Sequence, residues 1–150
     1  MLTGSTMKRI LSGLGVGLLL GISAGAWSTQ NSDDTLSGKQ IRQLIVGNTV
    51  RGAALASLYN IYYESDGKVS AVFHGRKLLA DTDDGTWKIK NGNTLCQEFS
   101  YLFGGVERCY QWHKTEQRNG EQRYVMHNVD AFRIDDLPVW NIRKGNPLGF

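Results

Sequence analysis

Between Asn48 and Arg143 the chain holds no single hydropathic rhythm for long. Short runs that mix apolar and polar residues, NTVRGAALA, LYNIYYE, KVSAVFH, KLLADT, TWKIK, NTLCQEF, ERCYQWHKT, EQRYVMHN, DAFRID and VWNIR, are separated by turn-forming residues. Alternation at period two marks a half-buried strand, and the β-branched and aromatic content agrees with it. The punctuation is Ser65-Asp66-Gly67, His74-Gly75-Arg76, Asp83-Asp84-Gly85, Asn91-Gly92 and Asn119-Gly120. Asp-Gly and Asn-Gly suit tight hairpin turns, because both central residues need positive φ. Strands this closely spaced leave no length for helical crossovers, so the pattern predicts an antiparallel meander of about eight strands. Closing the meander removes both free edges. The expected architecture is a small lipocalin-like or calycin-like barrel, with an open sandwich as the alternative.

Ahead of the strands the period lengthens. Ser37 precedes Gln40 by three residues, the capping-box spacing in which each side chain satisfies the other's backbone donor. Ile41, Leu44 and Ile45 then share one helical face, and Gly47 can end the helix in the left-handed region. One short N-terminal helix is expected. Before it, WSTQNSDDTL over residues 27–36 is polar and unpatterned and reads as a flexible leader. Lys8 and Arg9 introduce the apolar run ILSGLGVGLLLGISAGA, and Ala24-Gly25-Ala26 supplies small residues for cleavage. Residues 1–26 therefore read as a signal peptide, and the run is short and glycine-rich for a spanning helix. A single domain over residues 37–150 remains.

That division changes the electrostatics. The whole chain carries 17 Lys+Arg against 14 Asp+Glu, but both basic residues of the first segment leave with it, so the mature chain is nearly neutral. The basic balance is then a property of the export signal and points to neither nucleic acid nor anionic lipid. No stable membrane insertion is expected after cleavage.

Cys96 and Cys109 are the only cysteines. In an exported chain they read as a disulfide, which should contribute roughly 3 kcal/mol by closing its loop. If Asn91-Gly92 is a two-residue turn, Trp87 lies opposite Cys96, and both face the interior with Ile89. Trp87 is then a core aromatic packed on the bridge. The same rule around Asn119-Gly120 gives one face with Tyr110, Trp112, Lys114, Val125 and His127. The other face has Cys109, Gln111, His113, Thr115, Tyr124, Met126 and Asn128. Cysteine position puts the second face inside, while apolar content puts the first inside, and both assignments stay open. Under the cysteine assignment Gln111, His113, Tyr124, Met126 and Asn128 line a lumen too polar for simple packing, a candidate ligand site.

This register sets His113 and His127 on opposite faces, with His74 in a turn elsewhere, so no metal site is expected. No nucleophile elbow, zinc-protease or phosphate-loop motif occurs, and the pairs Asp83-Asp84 and Asp135-Asp136 point to alternate faces. Neither catalysis nor a cofactor is indicated. Tyr59, Ile61, Tyr62 and Tyr63 place aromatics on both faces of one strand and could form an exposed binding strip.

The succession LSGKQIRQLIVGNTVRG, SDGKV, DDGTWKIKNGNTLC, RCYQW and GNPLGF resembles that of a family of small exported bacterial proteins described only as a domain of unknown function. The resemblance implies export and a compact, disulfide-bonded β-domain, and carries no activity. The expected function is non-enzymatic binding by a periplasmic or secreted barrel holding a small, partly polar ligand in its lumen. The alternative is an envelope factor or hydrolase inhibitor that binds protein through loops and exposed aromatics.

Overall fold

A computed structural model of the chain describes residues 34–54, 57–74, 82–130 and 136–149. The expected signal peptide and residues 27–33 of the leader lie outside the described residues. So do nearly all of the candidate runs at 77–82 and 130–135.

A helix, α1 (Gly38–Ile45), precedes eight strands: β1 (Asn48–Ala54), β2 (Ser57–Tyr63), β3 (Lys68–His74), β4 (Thr82–Lys90), β5 (Thr94–Phe99), β6 (Arg108–Arg118), β7 (Glu121–Asn128) and β8 (Leu137–Lys144). Each strand pairs antiparallel with the next, and β8 returns to β1, so the sheet is a closed barrel. The fold class is the one expected. Closure satisfies both edges of the meander within one chain. One end of the barrel carries the turns at Gly67, Gly92 and Gly120, and is called the turn end below. At the far end lies a 3₁₀ turn (Leu102–Gly104) between β5 and β6.

Alternation fills the interior. Along β2, Ser57, Tyr59, Ile61 and Tyr63 point inwards and are buried, and Leu58, Asn60 and Tyr62 are half-buried outside. Tyr59 and Tyr63 are thus core residues, not members of an exposed strip. Tyr63 meets Trp87 edge-to-face at 5.8 Å, and Trp87 Nε1 donates to the Glu64 carbonyl at 2.9 Å. Trp112, Met126, Leu95 and Phe99 complete the packed middle, each exposed by 2 % or less. A buried side chain of this size contributes about 1.5–3 kcal/mol relative to leaving it in water.

The capping box at Ser37 and Gln40 forms as the spacing predicts, and Ile41 and Ile45 are completely buried beneath α1. Gly38 N donates to the Gly92 carbonyl at 2.6 Å, which seats the helix on the β4–β5 turn. The packed chain begins before residue 37. Thr35 bridges His113 antiparallel, Leu36 N donates to the Trp112 carbonyl at 2.8 Å, and Leu36 is only 2 % exposed. The last leader residues continue the sheet where β5 stops, since β5–β6 pairing ends at Thr94 and Gln111. Among the described residues, no helix is long and apolar enough to cross a membrane.

Both Asn-Gly hairpins depart from the expected register, although the turn at Asn119-Gly120 does hold two residues and is closed by Arg118 and Glu121. In β4–β5 the closing pair is Lys90 with Thr94, so Trp87 faces Gln97 and Lys88 faces Cys96. A slip of one residue turns every following side chain to the other face. Cys96 therefore points outwards, and Trp87 packs on Tyr63 inside and not on the bridge. In β6–β7 a bulge between Thr115 and Arg118 sets Trp112 opposite Met126 and His113 opposite Val125. Tyr110 and Trp112 lie inside, as apolar content favoured for β6, but on β7 Met126 is inside and Val125 and His127 face outwards, against that assignment. The expected turn at Asp83-Asp84-Gly85 also yields: these residues lie within β4. Gly85 is needed for close approach, because a Cβ there would sit 2.0 Å from the Glu98 carbonyl oxygen.

Candidate functional site

The inward face of β6 starts at Arg108 and continues through Tyr110 to Trp112. Gln97 on β5 pairs with Arg108, and Asn128 on β7 pairs with Tyr110, so these four side chains are neighbours on the interior face near the far end. Asp83 enters the same interior from β4, opposite the buried Ala71. Its Oδ2 accepts from Tyr101 N at 2.9 Å and Leu102 N at 2.7 Å, which anchors the 3₁₀ turn. Phe103 in that turn lies 5.9 Å from the Arg108 guanidinium, so Asp83 and Arg108 brace one loop from two sides.

The hydrogen bonding of this group is incomplete. Deeper in the barrel, Tyr63 donates to Gln97 Oε1 at 2.9 Å, and Tyr59 donates to the Pro138 carbonyl at 3.0 Å. Gly52 makes room for Tyr59, since a Cβ there would meet its hydroxyl at 2.3 Å. By contrast the Tyr110 hydroxyl, Asn128 Nδ2, Arg108 Nε and Asp83 Oδ1 are buried and have no partner, as is Trp112 Nε1 below them. Asn128 is fixed by its other end, where Oδ1 accepts from Asp130 N at 2.8 Å. Asp130 in turn accepts from Cys109 N at 3.0 Å. Each unpartnered buried group costs about 1–3 kcal/mol, so several of them on the inward face towards one end call for an explanation.

Burial holds the phenols of Tyr59, Tyr63 and Tyr110 in their neutral form. Tyr110 is pushed up to about 12 by desolvation, with the nearby Asp130 carboxylate adding to the effect and Arg108 opposing it. Tyr59 and Tyr63 are raised further, again mainly by burial. At neutral pH Tyr110 is an uncharged donor. The site thus offers three donors, from Tyr110, Asn128 and Arg108, and one carboxyl oxygen of Asp83 as an acceptor.

Of the side chains expected to line a lumen, Tyr124, Met126 and Asn128 do share the inward face, with Met126 fully buried and Tyr124 6.1 Å from Trp112. Gln111 and His113 do not. The register shift turns both outwards, beside Cys109. His113 and His127 consequently share the outer face, with ring centroids 4.6 Å apart, and are not on opposite faces. His127 Nδ1 lies 2.6 Å from Asp136, and His113 Nδ1 is in hydrogen-bond contact with Thr35 Oγ1 at 3.0 Å.

The Cys96–Cys109 disulfide forms as expected, between directly opposed residues with Cα atoms 4.0 Å apart. On the outer face Glu107 pairs with Lys88 at 2.8 Å and with Lys90, and its carboxylate lies 3.9 Å from Cys109 Sγ. Cys96, Glu107 and Cys109 are the described residues whose ligand atoms cluster within 4.8 Å, but the two sulfurs are bonded to each other and offer no thiolate.

Asp83, Arg108 and Tyr110 are site residues that sequence reasoning missed. Parity could have found them. Once Trp87 is inside, Asp83 four residues earlier shares its face, and Arg108 and Tyr110, four and two residues before Trp112, share the face of Trp112. No protein-family model, curated protein or solved structure matches the chain.

Proposed function

We propose that the chain is an exported, non-enzymatic binding protein whose barrel takes a small, partly polar molecule at its far end. The observation that carries this reading is the set of unpartnered buried polar atoms on Tyr110, Asn128, Arg108 and Asp83, whose side chains lie on the inward face towards the far end. A ligand with carbonyl, carboxyl or phosphoryl oxygens would accept from the three donors, and a hydroxyl or amine beside them would donate to Asp83. Trp112 and Met126, an inward-facing pair, provide the apolar floor. Export is supported by the apolar run after Lys8 and Arg9 and by the disulfide, which persists in oxidising compartments. The resemblance to small exported β-domains points the same way.

One observation favours the alternative, protein binding: Tyr101, Val106 and Val129 are 74 %, 52 % and 47 % exposed, and all three belong to the far end. Native mass spectrometry of protein purified without denaturation from the cells that make it separates the two readings. A co-purifying molecule of small mass, lost in Tyr110→Phe and Asn128→Ala, is the expected result. A stoichiometric protein partner with no small molecule would overturn the ligand reading.

A further inference from the structure

The barrel wall is uneven. β7 and β8 each have eight residues, yet they pair only at Tyr124–Val139, Val125–Pro138 and Met126–Leu137. Towards the turn end the two strands part. β8 follows β1 there, with its own register shift beside Arg51 and Gly52. The bulge between Thr115 and Arg118 bends β6 at the same level. Bulges re-aim side chains in this way and increase local twist. Together they leave an outer groove of about 680 Å³ across β6, β7 and β8, within the size range of small-molecule sites.

The groove has two distinct parts. Val125, Pro138 and Trp140 form an apolar wall, and Trp140 is 41 % exposed although it is among the largest side chains in the protein. Arg118 and Arg123 stand at the β6–β7 side, and they are the only charged residues in the lining. Arg123 Nη2 is 3.4 Å from Glu121, a carboxylate that is itself 68 % exposed, while Arg123 Nε is buried without a partner. Solvent-exposed pairs of this kind are weak and are readily exchanged for a better acceptor. Guanidinium groups bind carboxylate or sulfonate oxygens bidentately, and an indole face is well suited to an alkyl or aromatic body.

We infer that this groove is a second binding site, on the outside of the barrel, for a soluble amphipathic anion: an apolar body against Trp140, Val125 and Pro138, and an anionic head on Arg118 and Arg123. The site is distinct from the interior one: apart from Tyr124 and Val139, whose side chains face inwards, the lining side chains project from the outer face of the sheet.

Titration calorimetry with decanoate as probe, and decanol as its neutral counterpart, tests the assignment on the full folded chain. Decanoate is expected to bind about tenfold or more tightly than decanol, a preference that the Arg118→Gln/Arg123→Gln double variant abolishes. Trp140→Ala should weaken both probes, and Lys39→Gln, an exposed change on α1 away from both sites, should leave decanoate binding unchanged. These substitutions are on the outer surface, and circular dichroism checks that each variant keeps the barrel. Unaltered decanoate affinity in the double variant would overturn the proposal. So would a Trp140 fluorescence response to vesicles containing anionic lipid without any response to soluble decanoate, because the face would then be a membrane contact.

Discussion

On their inward faces the turn end and the far end of the barrel treat buried polarity in opposite ways. The unpartnered atoms of Arg51, Arg123 and Asn141 belong to the outer face. At the turn end α1 covers the interior with Ile41 and Ile45, its N-terminus is capped by Ser37 and Gln40, and Tyr63 and Trp87 both find hydrogen-bond acceptors. At the far end Tyr110, Asn128, Arg108 and Asp83 keep polar atoms unpartnered. The same strands run through both ends, so neither strand propensity nor closure explains the difference. One end is organised to be complete by itself, and the other is organised around something it does not itself supply.

The largest effect should come from uncovering the completed end. Ile45 is fully buried between α1 and the barrel, and Ile45→Ala removes apolar contacts while leaving a cavity. A loss of about 2–5 kcal/mol in urea unfolding is expected. A loss below about 1 kcal/mol would mean that α1 does not close the turn end.

A matched pair of substitutions sharpens the contrast. Tyr63→Phe removes the donor to Gln97 Oε1 and strands a buried acceptor, so it should cost about 1–3 kcal/mol. Tyr110→Phe removes a hydroxyl that has no partner, and should be neutral or stabilising by up to about 1 kcal/mol in ligand-free protein. The two changes are chemically identical. If both destabilise equally, the ends do not differ in the way described.

How far this was legible in the sequence depends on one register. Strand rhythm, turn residues, capping box and cysteine pair were enough for the barrel, the helix and the disulfide, because each is set by local chemistry. The interior face of β6 was not, and the reason is traceable. Asn91-Gly92 supplies the positive φ values that a two-residue turn needs, 51° and 75°, yet pairing closes at Lys90 and Thr94, around a loop that also includes Asn93. Turn chemistry alone does not count the residues in a loop. The apolar pattern did carry the answer: Leu95 and Phe99 alternate with Glu98 on the other face, and Tyr110 and Trp112 alternate with His113 and Gln111. The disulfide transmitted the slip from β5 to β6, since a bridge between two outward cysteines fixes relative facing as firmly as one between two inward ones. Tyr124, Met126 and Asn128 were found inside despite it. Their own hairpin was shifted by a bulge, which moved β7 by one residue relative to β6.

The smallest expected effect lies where the leader meets β6, and it is a test by pH. His113 has its pKa held below the ordinary histidine value, chiefly by burial and then by His127 beside it, with Asp136 and Asp34 acting in the opposite direction. A depressed folded-state pKa means that the unfolded chain binds the proton more readily. The stabilisation is therefore present above the ordinary pKa of about 6.5 and is lost as pH falls through the lower, folded value. Because His113 contacts Thr35, and Leu36 N–H donates to the Trp112 carbonyl next door, the first consequence should be release of residues 35–36. Hydrogen exchange at Leu36, corrected for its intrinsic pH dependence, should accelerate on acidification below about pH 6. The turn-end amides of α1 should stay protected over the same range. His113→Gln should abolish the pH dependence at Leu36. Equal acceleration across α1 and Leu36 would instead mean that the helix and the leader open as one unit, so that the covering of the turn end extends to the histidine pair.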